Sequence, residues 1–561
     1  MEEQGSLVAR ALRGLLGMTE LRAGRLWRRV TLSFRAQRGI PDFLKTILIV
    51  ALLAPLPRKL PAQTRWAGED EVLYHIFVRS FRDSNGDRQG DLAGIAQSLP
   101  YLKRLGVTSL LLTPVNPSPH YHNYFATSFE GVDPAFGDSG SFTRLVRAVH
   151  AAGLRIYLDE EIQYVTPEHP WWRETIGHPG SPYANYILYK DSTRTEPEPA
   201  FFGMLELPIW SGGKVGIANV NLLEPAVRDY FARLFATLAD PNHDGRFEDG
   251  VDGFRIDHMM DDLDQKGKLT HLFERFWAPV FAAAKAVNPK VKIIAEQFDW
   301  GYGDDFLTRG GADMVFGFPI RGAIVSGRAS DLVTALRGTM EKTPAGKGQV
   351  IFLENHDTDR AASLTDDPRM LRLAAALMLV LKGTPSIYYG QELGMRGKQN
   401  KKWGNDANDI PVREAFEWHR RLGGAGEALW YRETGEWWTN RYARDDDGVS
   451  EEEEAKAPGS LLAWYTRLIH FRLGRPELRE GDQQVLEVSA PDMVAILRST
   501  PAAASLVLVN LGETAQCVAR PAGLPASLAG RLRNLLAEGG GAARAPGCLR
   551  VEQHTVAVYS R

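Results

Sequence analysis

The chain runs to 561 residues, 44% hydrophobic and 24% charged, which is too long for one small core, so two or three domains are expected. Its formal net charge is only -3 and its Lys and Arg are dispersed, which excludes the basic stripe of a nucleic-acid binder and suits a neutral substrate. Cys517 and Cys548 are the only cysteines, which excludes a disulfide framework or a thiolate metal site and leaves room for one late disulfide.

The apolar run 46–56 follows Lys45 and an Arg-rich stretch and gives way to Pro57-Arg58-Lys59-Leu60-Pro61-Ala62-Gln63, the outline of a secretory h-region. It is too short to span a bilayer comfortably, so no stable membrane span is expected. Residues 1–66 read as an N-terminal extension with a signal segment at 45–62 and Met18 as a second candidate start. That makes the protein periplasmic or secreted; a basic extension on a cytoplasmic protein is the alternative. From Val72 onward, short apolar runs over 72–78, 109–112, 155–159, 253–257, 292–296, 314–317, 349–352 and 386–389 read as strands. Amphipathic stretches over 92–102, 139–152, 225–239, 269–287 and 370–381 lie between them, and 461–472 would close the ring. This alternation predicts an α/β fold, a (β/α)8 TIM barrel over 67–476. Within about 160–224 the helical period is lost and Pro, Gly, Trp and Tyr accumulate, the mark of a lobe inserted after the third strand. From 477 to 561 short strands with turn signals, at 493–497, 505–509 and 555–559, predict an antiparallel β-sandwich.

In such a barrel the chemistry gathers at the C-terminal ends of the strands, where the loops converge on one crevice. Those ends carry Asp159, then Arg255 with Asp257, then Glu296, and finally Asn355-His356-Asp357. Two carboxyls about 5 to 5.5 Å apart, one attacking and one donating a proton, are what glycosidic cleavage with retention needs. Arg255, two residues before Asp257 on the same strand face, can keep that carboxylate ionised. Glu296 follows the apolar run Lys-Ile-Ile-Ala, a setting that raises a carboxyl pKa as a general acid requires. Asp357 could hydrogen-bond sugar hydroxyls as the ring becomes oxocarbenium-like.

Gly253-Phe254-Arg255-Ile256-Asp257, Ile294-Ala295-Glu296 and Glu354-Asn355-His356-Asp357 resemble the second, third and fourth sequence regions of the α-amylase family, glycoside hydrolase family 13. Tyr74 to Phe81, His169-Pro170-Trp171-Trp172 and Gly383-Thr384-Pro385-Ser386-Ile387-Tyr388-Tyr389-Gly390 extend the likeness, which covers roughly Glu71 to the C-terminus. The resemblance implies a barrel with a B-lobe and a C-terminal β-sandwich, acting on α-glucosidic, chiefly α-1,4, bonds of malto-oligosaccharides or starch. It assigns Asp257 as nucleophile, Glu296 as acid and base and Asp357 as transition-state stabiliser. Arg255 and His356 fall on positions that line the subsite at the cleavage point, and Tyr124 on its aromatic platform; Asp159, Tyr164 and Arg360 complete the expected substrate contacts. The first region departs from the family's Asp, three residues, Asn-His: here Asp159-Glu160-Glu161-Ile162-Gln163-Tyr164 puts Gln163 for the Asn and Tyr164 for the His that normally contacts the sugar. Asp261 stands where starch-degrading members often carry His or Lys, and Arg360 resembles the α-glucosidase branch that attacks short chains from the non-reducing end. Transglycosylation is the alternative within the same chemistry, and an inactive carbohydrate-binding barrel the alternative outside it. Oligomeric state has no signature in the sequence.

Asp83, Asn85, Asp87 and Asp91, with the Gln89 carbonyl, have a spacing that could converge oxygens on a structural Ca2+, and the resemblance supports a site in this first loop. Asp240, Asn242, Asp244 and Asp249 form a second candidate. No organic cofactor is expected.

Overall fold

The computed structural model describes residues 68–200, 203–537 and 548–561, all within a compact unit from Thr64 to Arg561. The signal-like segment at 45–62 lies outside the described residues.

Eight parallel strands close into a barrel: β1 (Leu73–Ile76), β2 (Ser109–Leu112), β3 (Arg155–Glu160), β4 (Gly253–Met259), β5 (Lys292–Gln297), β6 (Met314–Phe316), β7 (Gly348–Phe352) and β8 (Thr384–Tyr388), with β8 pairing back onto β1. Strands buried on both faces need apolar side chains at nearly every position, which is why these segments read as continuous runs. The barrel interior is filled by Leu73, Leu111, Tyr157, Ile294, Met314, Phe316, Val350 and Phe352. At its N-terminal end the buried carboxylate of Glu71 accepts from Ser109 Oγ at 2.6 Å, from Tyr157 and from Arg155 at 2.9 Å, and pairs with Lys292. That end is tied shut by charge and carries stability, which leaves the opposite end for chemistry.

The outer helices are α1 (Leu92–Leu105), α2 (Ser139–Ala151), α3 (Pro225–Ala239), α4 (Ala278–Val287), α5 (Phe318–Ser326), α6 (Ala329–Lys342), α7 (Pro368–Val380) and α8 (Leu461–Leu473). Local capping sets their ends. Asp91 accepts the Gly94 N–H at the start of α1, which stops at Gly106 with φ 98°, and Asp138 and Ser141 form a reciprocal capping box on α2. The first predicted strand ends early, because Val78–Phe81 already turns as a helix. The predicted helix over 269–287 is a π-turn at Phe273–Trp277 leading into α4, with Pro279 at the join. Helices α5 and α6 were not expected. The first is apolar almost all round and contains Gly322, which hides its stripe; the second buries Ala329, Leu332, Ala335, Leu336 and Thr339 on one face, but Arg328 before it supplies no side-chain cap, so its start carries no signal.

Between β3 and α3 the inserted lobe is built of short antiparallel pairs, Tyr164–Val165 with Ala218–Asn219 and Glu206–Pro208 with Lys214–Gly216. After α8 the chain forms β9 (Asp482–Leu486), β10 (Met493–Ser499), β11 (Ala504–Asn510), β12 (Gln516–Val518), β13 (Arg533–Asn534), β14 (Leu549–Val551) and β15 (Thr555–Ser560). They make a five-stranded antiparallel sheet, β9-β10-β11-β15-β13, and a β12-β14 pair. Period-two alternation divides the larger sheet: Val494, Ile496, Val507, Val509, Val556 and Val558 join the barrel's core, whereas Ala495, Leu497, Leu506, Leu508, Ala557 and Tyr559 pack with Val518, Leu549 and Val551. Cys517 and Cys548 are joined as a disulfide across that small pair, with Cα atoms 5.6 Å apart.

Candidate active site

Alternate residues of a strand face the same way, so Arg255 and Asp257 both point into the mouth of the barrel from β4. Arg255 is fully buried and acts as a hub. Its Nη1 donates to Asp159 Oδ1 and to Asp257 Oδ1, each at 2.6 Å, and its Nη2 donates to Glu296 Oε2 at 2.5 Å. One guanidinium thus holds the carboxyls of β4 and β5 side by side, with Asp257 Oδ2 left clear of it. On the far side of the mouth, Asp357 accepts from Arg413 Nη2 at 2.8 Å and lies 2.9 Å from His356 Nε2. Tyr124 closes the ring: its hydroxyl donates to Asp159 Oδ2 at 2.6 Å and sits 2.7 Å from His356 Nε2, with the two rings stacked.

The environments push the acids apart. Burial raises the Glu296 carboxyl to about 8, since Arg255 only partly offsets it and Asp257 and Asp357 reinforce it. Burial also pushes Asp257 up, but Arg255 and then His258 outweigh it and hold that carboxyl below its usual value. Asp357 falls far below the carboxylate range, burial being overcome by His356 and Arg413. At neutral pH the site therefore holds one protonated carboxyl on β5 beside one ionised carboxylate on β4, a proton donor next to a negative charge. For a glycosidic substrate this predicts a kcat/KM profile whose basic limb falls near pH 8, as Glu296 loses its proton. The acid limb should lie below the ordinary Asp range, where Asp257 gains one. Initial rates from pH 3 to 10 read both limbs.

Tyr164, Gln163 and two residues that sequence reasoning passed over build a second layer on the nucleophile side. His258 Nε2 lies 3.2 Å from Asp257 Oδ2, 3.1 Å from Glu161 Oε2 and 3.3 Å from the Tyr164 hydroxyl, and its ring stacks on Tyr164. Gln163 Nε2 donates to the Asp257 carbonyl at 3.0 Å and contacts His258 Nδ1 at 3.1 Å. A bulge between Ile256 and Met259 and a φ of 22° at His258 turn that imidazole into the mouth. Burial and the charge of Asp257 drive the Glu161 carboxyl well above its usual value. The signal in the sequence was the acid run Asp159-Glu160-Glu161 and a His directly after Asp257. Arg413 gave none, for it reaches Asp357 from 56 residues away.

Arg360 corrects an expectation. It is fully buried behind the site, donating to Glu354 at 3.0 Å and to the Tyr389 carbonyl at 2.6 Å, its guanidinium 4.2 Å from the Tyr388 ring centroid. A side chain so enclosed supports the β7 and β8 loops and does not meet a sugar in this arrangement.

The metal candidates fall elsewhere. Asp83 takes the N–H groups of Asn85, Gly86 and Arg88, Asp87 that of Gln89, and Asp91 those of Ser84 and Gly94. The Gln89 side chain accepts from Arg79. In the second loop Asp240 accepts from Gly245, and Asp244 and Asp249 from Asn242 Nδ2. Here Asp240 Oδ1 and Asp249 Oδ1 are buried with no hydrogen-bond partner among the described residues. The groups of Asp, Glu and His that could converge on an ion among the described residues are Glu161, Asp257 and His258; Asp257, His356 and Asp357; and Asp261, His271 and Glu274.

Comparison with known proteins agrees with this geometry. The sequence profile of the alpha-amylase catalytic domain matches residues 75–272 and 316–481. The chain is 28% identical over 432 residues to Alpha-amylase 3 of Dictyoglomus thermophilum, covering 74% of this chain and 79% of that protein. It is likewise 28% identical over 420 residues to a 4-alpha-glucanotransferase of Thermotoga maritima, covering 71% of this chain and 86% of that protein. Among solved structures, the alpha-amylase from H. orenii superposes with a TM-score of 0.71 at 25% identity, over 88% of this chain and 99% of that one.

Proposed function

The chain belongs to the α-amylase family, and from that premise we propose that it cleaves α-glucosidic, chiefly α-1,4, bonds of short malto-oligosaccharides with retention of configuration. The observation that carries this reading is the shared guanidinium of Arg255, which sets Asp257 and Glu296 beside each other, one ionised and one protonated. Asp257 Oδ2 attacks the anomeric carbon while Glu296 gives its proton to the departing oxygen. Glu296, now a carboxylate, then takes a proton from the water that releases the sugar. Asp357, held ionised by Arg413 and His356, accepts hydrogen bonds from sugar hydroxyls that strengthen as positive charge grows on the ring. The exposures of Asp257 and Glu296, 7% and 5%, support a narrow pocket that receives a chain end. Incubation with maltotriose alone tests the reading: glucose and maltose should appear with no product longer than the substrate. Accumulation of longer chains would instead assign the transfer reaction of the glucanotransferase relatives.

We also propose a structural Ca2+. Of the two loops, 240–249 fits better, because among the described residues Asp240 Oδ1 and Asp249 Oδ1 are buried without a hydrogen-bond partner, and the one cation beside either carboxylate, Arg147, reaches only Asp249 Oδ2 at 3.1 Å. Asn242 and Asp244 would complete the set; in the loop 83–91 the carboxylates already accept backbone N–H groups, which leaves their second lone pairs for a cation. None of these residues touches the catalytic acids, so chelation is expected to lower Tm by a few degrees, roughly what loss of 1–3 kcal/mol of ligand-linked stability gives, without changing the rate at low temperature. Scanning calorimetry with and without chelator, and elemental analysis, measure it. Export is proposed as well: it is supported by the signal-like segment at 45–62 and by the Cys517–Cys548 disulfide, a bond that persists in oxidising compartments.

A further inference from the structure

On β3 the residues alternate between the barrel interior and the surrounding helices. Asp159 points inward to Arg255, whereas Ile156 and Leu158 belong to the outward row that packs under α2 and α3. Glu160 occupies the next outward position, where an apolar side chain would be expected. It is 2% exposed, and no hydrogen bond or ion pair joins its carboxyl to a described residue. A buried carboxyl without a partner is costly. It also lines a cavity of about 500 Å³ between α2, α3 and the loop after β2, within the range of small-molecule sites. The walls are Phe129, Phe142, Leu158, Leu234 and Leu238, with Tyr230 and a second acid, Glu130, alongside; Arg233 is the one cation among the lining residues, and it is largely exposed.

We propose that this cavity is a binding site for a small organic ammonium with an apolar body, its charge on Glu160 and its hydrocarbon against the phenylalanine and leucine walls. A ligand cation supplies the counter-charge that the protein omits, and the apolar walls favour it over a hydrated metal ion. A neutral sugar brings no charge to pair with the carboxylate form. The site is separate from the catalytic acids, which belong to β4, β5 and the loop after β7; on β3 itself Asp159 faces the mouth and Glu160 faces the cavity.

A proton accompanies the event. Without ligand, burial and then the charge of Asp159 raise Glu160 to about 8, so at pH 7 it is mostly protonated. The other charged or titratable groups facing it are Glu130 from the loop after β2 and Tyr230 and Arg233 from α3; α2 contributes Ser139, Phe142 and Thr143. An arriving ammonium therefore displaces the carboxyl proton to the buffer.

Titration calorimetry with benzylammonium chloride at pH 7, in two buffers of different ionisation heat, tests the proposal against neutral benzyl alcohol. The parent should bind one benzylammonium and release about one proton. Benzyl alcohol, and benzylammonium with Glu160→Gln, should each bind weaker by roughly ten-fold or more. Glu160→Leu, which restores the apolar row, should fold with a Tm at or above the parent's and also lose benzylammonium binding. Activity of both variants should stay within about two-fold of the parent, as for changes away from the reacting groups. Unchanged binding in Glu160→Gln or Glu160→Leu would place the amine elsewhere, the catalytic mouth included, and overturn the proposal. Equal binding of the alcohol, or no saturable heat, would do the same.

Discussion

Asp257→Asn is expected to reduce kcat on p-nitrophenyl α-glucoside by roughly 10⁴-fold or more, because the substitution keeps the shape of the side chain and removes the attacking charge. Glu296→Gln should behave differently. Loss of a general acid costs about 10²–10⁴-fold on a natural oligosaccharide, whose leaving alcohol needs a proton. With p-nitrophenolate, which leaves unaided, formation of the glycosyl-enzyme should be largely spared and only its hydrolysis slowed. A burst of nitrophenol followed by a slow steady state in Glu296→Gln, with no burst in Asp257→Asn, would separate the two roles. Equal residual activity of both variants on both substrates would show that the acids do not divide the work as the geometry indicates.

Arg255→Leu should be the most damaging single change to the fold of the site. The parent's guanidinium is fully buried among Asp159, Asp257 and Glu296, and without it three buried carboxyls lose their shared cation. Breaking such a buried pair by removing one partner costs on the order of 3–5 kcal/mol. The pH dependence follows from the direction of the Asp257 shift. Its folded pKa lies below the unfolded value, so its contribution is present above the unfolded pKa and is lost as pH falls through the folded one. The Tm gap between parent and Arg255→Leu should therefore be widest near neutral pH and narrow toward pH 3, where the variant's carboxyls are protonated. Arg255→Lys keeps a charge but cannot fork to carboxylates on three strands, so it should recover part of the Tm and little of the activity. Melting curves across pH for the three proteins give the comparison; a gap independent of pH would mean that lost packing, and not lost charge, carries the effect.

The barrel was legible because strands covered on both faces leave uninterrupted apolar runs, and several of those runs lead into a polar residue aimed at the mouth. Asp159, Arg255, Asp257, Glu296 and Asp357 were found that way, and the structure brings all of them to one place. What escaped depends on distance and direction. Helix α5 has apolar residues on its exposed side as well, Val325 among them, which blurs its period, and α6 buries a regular stripe of Ala329, Leu332, Ala335, Leu336 and Thr339 but has no side-chain cap to mark its start. The Glu161–His258 contact spans two strands and relies on a bulge after Asp257, which no spacing rule reveals. Arg360 shows the converse error: standing three residues past Asp357 fixes its place in the chain but not its direction, and its side chain turns back onto Glu354. Arg413, unnoticed, is the cation that Asp357 holds.

Glu161 and His258 also bear on substrate choice. They stand beside the nucleophile, together with Tyr164 in place of the His expected in the first region, so the wall on that side of the sugar is more acidic and more aromatic than the resemblance implies.

Trapping the reaction half-way addresses the catalytic reading most directly. A fluorinated α-glucosyl fluoride that forms the glycosyl-enzyme quickly and loses it slowly, followed by proteolysis and peptide mass mapping, should place one glucosyl ester on the peptide bearing Asp257, at the side chain of that residue. An adduct on Glu161, Glu296 or Asp357, or a first product of inverted anomeric configuration with no adduct, would contradict the account.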